Sequence, residues 1–143
     1  MPIAENHLIE LLPRTARLRV KAICKPTQLA LSDTLCEAGN STRYVYFPTD
    51  GFISLVKTIA DNSVLEVGMV GREGMVGVQL ALGVDAEPLK TVVQGSGAAW
   101  RISAVDFRAE LARSEPLRRV LNRYIYVMMA DLATSAACLR FHL

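Results

Sequence analysis

The stretch VGREGMVGVQLALG, residues 70–83, holds four of the chain's nine glycines and a lone Arg72-Glu73 pair. Glycines at this density let a backbone turn tightly and bring its N–H groups close to a ligand. The apolar run that follows, from Val78, opens a helix whose N-terminus would face an anion. The spacing Gly71-x-x-Gly74-x-x-Gly77 is not a dinucleotide fingerprint, because no strand-helix-strand unit of the required size surrounds it.

Outward from this stretch, all nine glycines fall between Gly39 and Gly97, which divides the chain into three parts. Between about 27 and 102, short β-rich runs (TQLALS, YVYFP, FISLVKTI, VLEVGMV, TVVQ and AAWRI) alternate with the turn signals EAGNS, TDG, DNS and GSG. Short strands with turns at this interval predict an antiparallel sandwich or barrel. Before them, residues 5–24 carry Leu8, Leu11 and Leu12, then Ala16, Leu18 and Val20, which predicts two short amphipathic helices with Pro13 near the start of the second. After them, Ser103 is a cap for a short helix over 103–111, and Pro116 opens a much longer one.

That last segment, 114–143, has no Gly or Pro from Leu117 to Leu143, and Leu117, Leu121, Tyr124, Met128, Leu132, Ser135 and Leu139 recur on one face. A helix of about 25 residues would be about 37 Å long and would overhang so small a domain. Val120, Ile125, Val127 and Met129 broaden its apolar face, so these residues predict a homodimer through this helix.

The 143 residues make one domain or a domain with an arm, and the formal charge of +2 without a Lys/Arg block argues against a nucleic-acid footprint here. The start MPIAENHLIELLP has neither the basic beginning nor the apolar stretch of a secretion signal. No run reaches the ~18 apolar residues of a membrane helix. Cys24, Cys36 and Cys138 are scattered and odd in number, which reads as buried, reduced thiols in a cytoplasmic protein. Scattered thiols do not suit an iron-sulfur cluster. His7 and His142, at the chain ends, do not suit haem or a metal-dependent cupin enzyme. Asp61, Glu66 and Glu73 lack a histidine partner, so no catalytic residues and no metal ligands are assigned.

This layout resembles the cyclic-nucleotide-binding domain, and more narrowly the effector domain of Crp/Fnr-type bacterial transcription regulators. The residues carrying the likeness are Leu35-Cys36-Glu37-Ala38-Gly39, Tyr44-Val45-Tyr46-Phe47, Asp50 to Leu55, Glu73-Gly74-Met75-Val76-Gly77 and Phe107 to Leu111. The resemblance implies an α+β, mainly β fold: an antiparallel β-roll or jelly roll with short N-terminal helices over 1–113, then a dimerisation helix over 114–143. It also implies a bacterial cytoplasmic regulator without enzymatic activity. In that family a helix-turn-helix domain follows the long helix. This chain stops at Phe141-His142-Leu143, so DNA is expected to be reached only through a domain not in this chain.

The family's phosphate cassette uses a Gly-Glu pair and, further on, an Arg followed by Ser or Thr. Placing Gly77 on the family glycine puts Val78 where the carboxylate belongs, and the arginine position falls at Leu89 or Lys90, with Thr91 keeping a hydroxyl. Lys90 supplies charge without the bidentate fork of arginine. Loss of such a partner costs a few kcal/mol, roughly two orders of magnitude in affinity. The ligand-site candidates are therefore Glu73, Gly74, Gly77, Val78, Lys90 and Thr91; Thr134 and Ser135 of the long helix are either the polar pair that the resemblance implies over a bound base or small residues at a helix-helix contact. The expectation is a degenerate cassette for a small anionic effector, with a cyclic nucleotide as the family's cofactor but poorly served here. The alternative is a stand-alone module that has lost its ligand and serves as a dimer scaffold.

Overall fold

The computed structural model describes residues 5–141. Two short helices come first, α1 (His7–Glu10) and α2 (Arg14–Ile23), with Pro13 immediately before the second. Seven strands follow: β1 (Lys25–Leu29), β2 (Thr34–Cys36), β3 (Tyr44–Pro48), β4 (Phe52–Thr58), β5 (Val64–Val70), β6 (Lys90–Gly95) and β7 (Gly97–Ser103). The helices α3 (Ala104–Arg113) and α4 (Glu115–Phe141) complete the fold.

The strands form two antiparallel sheets, ordered β1-β7-β3 and β2-β6-β4-β5. Only Ser96 separates β6 from β7, yet they lie in different sheets, so the chain turns a corner there. Glycine is required at that corner: a Cβ on Gly97 would lie 2.5 Å from the Asp50 carbonyl. The antiparallel strands expected from the alternating runs, and the roll that the resemblance implies, are thus observed, and strand β5 spans the predicted run VLEVGMV.

Side-chain alternation on β3 divides the core. Val45 and Phe47 face the helices and join Leu8, Ile9, Val20, Phe107, Leu117 and Leu121 in one cluster. Phe47 and Phe107 meet as tilted rings with centroids 6.2 Å apart, a favoured aromatic geometry. Inside the roll a smaller cluster joins Leu29, Ile53, Val70, Val76, Val93 and Ala99.

Each helix start has an identifiable cause. The Ser103 side chain accepts from the Asp106 amide at 3.2 Å, as expected of a cap. Ser114 Oγ accepts from the Leu117 amide at 3.3 Å and starts α4 one residue before Pro116. Asn6, fully buried, caps α1 through its Oδ1, while its Nδ2 donates to the carbonyls of Pro48 (2.9 Å) and Gly74 (2.8 Å). One side chain therefore ties the first helix, the end of β3 and the glycine stretch together.

Helix α4 is 27 residues long, about 40 Å at 1.5 Å per residue. Its first turns belong to the domain rather than to a separate arm: Leu117 is 2% exposed and Leu121 0%. This corrects the predicted dimer face, since both leucines are spent on the intramolecular core. Beyond them the helix emerges, with Tyr126, Met129, Leu132 and Leu139 exposed. The cysteines also differ from expectation. All three are free and only partly buried. Burial pushes the Cys24 thiol up to about 12, which keeps it protonated and unreactive.

Candidate functional site

The glycine stretch leaves β5 and runs between β3 and α4. Gly74 donates to the Gly71 carbonyl at 3.1 Å, closing a tight turn, and the Gly71 amide is taken by Glu73 Oε1 at 3.3 Å. The Met75 amide donates to the Tyr124 hydroxyl of α4 at 3.2 Å, and that hydroxyl donates to the Met75 carbonyl at 3.3 Å. Val76 exchanges both backbone hydrogen bonds with Tyr46 of β3, at 3.1 and 2.9 Å. Gly77, at φ +97°, would carry a Cβ only 2.7 Å from Val45 Cγ1, and it opens a short 3-10 helix over Val78–Leu82. The glycines turn the backbone tightly, but the amides of residues 71, 74, 75 and 76 bond within the protein instead of pointing at an open anion site.

Two cavities flank this stretch. One is a groove of about 510 Å³ between α4 and the β4–β5 hairpin, with Leu55, Val67, Val70, Leu89, Tyr124 and Met128 among its walls. Its polar groups include Glu73, Arg123, Asp131 and Ser135. It is formed jointly by the sheet and the long helix, so any occupant touches both.

The other, also of about 510 Å³, opens in the roll between the β2–β3 loop and the start of β6. Its distinguishing group is Glu87, 4% exposed. Glu87 Oε1 accepts from the Thr42 hydroxyl at 3.2 Å, and that hydroxyl accepts from the Gln79 amide at 2.6 Å. Burial raises the Glu87 pKa, an effect partly offset by hydrogen bonds from Thr42 and Gln79. The Cys36 thiol on the same wall is also raised, first by burial and then by the charges of Glu87 and Glu37. The buried ionisable side chain in this cavity is a carboxyl, where a cyclic phosphate would need an arginine.

The sequence candidates are distributed over these features and do not converge. Glu73 lies on the groove, and Gly74 sits under the Tyr124 ring. Gly77 abuts Val45, and Val78 packs against the helical core. Thr91 lines the Glu87 cavity, 1% exposed, and donates to the Cys36 carbonyl at 3.4 Å. Lys90 Nζ pairs with Glu37 at 3.7 Å, a partly exposed pair of small energetic weight. On α4, Ser135 reaches the groove, and Thr134 is exposed. His7 lines the groove and His142 lies outside the described residues. Glu87, Thr42, Gln79 and Asn6 carry geometry that the sequence reading missed. An acid in the loop VDAEPLK reads as solvated until the β2–β3 loop closes over it.

No protein-family model matches the sequence, and no curated protein matches it. Solved structures do. The c-di-GMP-responsive global regulator CLP of Xanthomonas campestris superposes with a TM-score of 0.75 at 15% identity, over 90% of this chain and 65% of that one. The catabolite activator protein of Thermus thermophilus gives a TM-score of 0.73 at 12% identity, over 94% and 63%. The guanosine-bound regulatory subunit of a cAMP-independent protein kinase A from Trypanosoma cruzi gives 0.73 at 14%, over 96% and 48%. This chain thus spans less than two thirds of each of these neighbours. These likenesses establish the fold alone, the cyclic-nucleotide-binding-like β-roll with a long C-terminal helix.

Proposed function

We propose that this chain is a non-enzymatic effector-sensing domain of a cytoplasmic Crp/Fnr-like transcription regulator. It works as a homodimer joined through α4 and acts on DNA through domains outside this chain. The observation that carries this reading is the groove built jointly by the β4–β5 hairpin and α4. A small molecule seated there contacts the helix whose far half is exposed and apolar. Differential affinity for two positions of α4 then becomes a change in the spacing of whatever α4 carries. Neighbours with this fold include a c-di-GMP-responsive regulator and a catabolite activator protein, which supports a regulatory rather than catalytic role.

The cyclic-nucleotide cassette is degenerate in this reading. Val78 replaces the carboxylate, Lys90 is engaged by Glu37, and the Met75 amide is engaged by Tyr124. A thermal-shift screen of cyclic mononucleotides and other small molecules, followed by hydrogen exchange, tests the proposal. A compound that binds saturably is expected to slow exchange along residues 125–139. Binding that leaves α4 untouched contradicts the signalling role. The second reading, a dimer scaffold without ligand, is favoured by the same internally bonded amides and predicts that the screen finds nothing.

A further inference from the structure

We propose that the cavity around Glu87 is a separate ligand site that takes a small organic cation, a primary amine or amidine. The proposal does not rest on the groove beneath α4. At about 510 Å³ the cavity has the size of a small-molecule site. Glu87 is fixed in it by its backbone, which exchanges hydrogen bonds with the β2–β3 loop: Gly39 donates to the Glu87 carbonyl at 2.8 Å, and the Glu87 amide donates to Asn40 at 3.0 Å. The side chain is held by the ordered series Gln79 to Thr42 to Glu87.

What Glu87 lacks is a countercharge. Among the described residues no Lys or Arg lies within ion-pair distance of Glu87. Arg43 is on the lining but exposed. A glutamine at 87 would accept the same Thr42 bond without burying a charge, so the carboxylate costs stability that the fold does not need. An ammonium or amidinium ligand supplies the missing charge and converts a desolvated carboxylate into a charge-assisted hydrogen bond. Tyr46 also lines the cavity, and an aromatic residue there suits a cation. An anion seated against Glu87 meets a carboxyl instead, Glu37 on the rim being already paired with Lys90, which is the opposite of what a nucleotide phosphate requires.

The test is calorimetry on the whole chain with butylamine, 1,4-diaminobutane and agmatine, and with cyclic AMP as the anionic control. At least one amine is expected to bind saturably at millimolar concentration or below, and Glu87→Gln is expected to weaken it roughly tenfold or more. Val127→Ser, on the α4 wall of the other cavity, leaves that affinity unchanged. Failure of all three amines to saturate, undiminished binding by Glu87→Gln, or loss of binding in Val127→Ser overturns the proposal. If Glu87→Gln does not fold, Thr42→Val, which removes the hydroxyl holding the carboxylate, is the second variant. Amine affinity falls in it if the proposal holds, and unchanged affinity overturns it.

Discussion

The Tyr124 hydroxyl bridges the Met75 backbone, accepting from its amide at 3.2 Å and donating to its carbonyl at 3.3 Å. The ring covers Gly74 so closely that a Cβ there would overlap the phenol. The glycine stretch and the long helix are therefore locked by one side chain. Tyr124→Phe strands two backbone groups, and chemical denaturation is expected to register a loss of about 1–2 kcal/mol. Gly74→Ala should lose at least as much, because the ring must leave. A Gly74→Ala protein of unchanged stability would mean that the contact is not made in solution.

Asn6 ties together elements that are far apart in sequence. Asn6→Ala removes the α1 cap and leaves the carbonyls of Pro48 and Gly74 without their buried donor. The expected cost is about 2–4 kcal/mol, read from urea unfolding. Asn6→Asp keeps the cap oxygen but loses the donor, so it should recover only part of that loss.

The raised pKa of Glu87 has a signed consequence for stability. The folded state holds this proton more tightly than the unfolded chain, so the stabilisation is complete below the ordinary carboxylate value. It is lost as pH rises from there through the folded-state value. Glu87→Gln should abolish that loss, giving a flatter pH profile and equal or greater stability at neutral pH. A variant that remains as pH-sensitive as the parent in this window would assign the effect to other groups.

The two halves of α4 should respond differently to substitution. Leu121→Ala opens a cavity in the core and is expected to cost about 2–5 kcal/mol. Leu132→Glu and Leu139→Glu lie on the exposed half, 47% and 74% accessible, and should leave the fold intact. Circular dichroism melts of the three variants distinguish a helix that is core at one end and interface at the other from one that is core throughout.

The alternation of YVYFP and VLEVGMV, the glycine-marked turns and the unbroken run after Pro116 made the antiparallel strands and the long helix legible in the sequence, and the family resemblance supplied the roll. Local pattern sufficed because each of these elements is specified by its own residues. The allocation of α4 was not legible. Leu117, Leu121, Leu132 and Leu139 form one stripe in sequence, and only the packing of α1 and β3 decides which leucines are consumed by the core. The site was the least legible part. Its candidates were carried over from a family pattern, whereas Glu87 and Asn6 acquire their roles from partners 45 and 68 residues away. No window of neighbouring residues contains that information.

The central claim is that the exposed half of α4 joins two copies into the signalling unit. Multi-angle light scattering at micromolar concentration tests it most directly, on the parent chain and on Leu132→Glu/Leu139→Glu. The account predicts a dimer for the parent and a folded monomer for the double variant. A monomeric parent, or a dimer that the double substitution leaves intact, would contradict it.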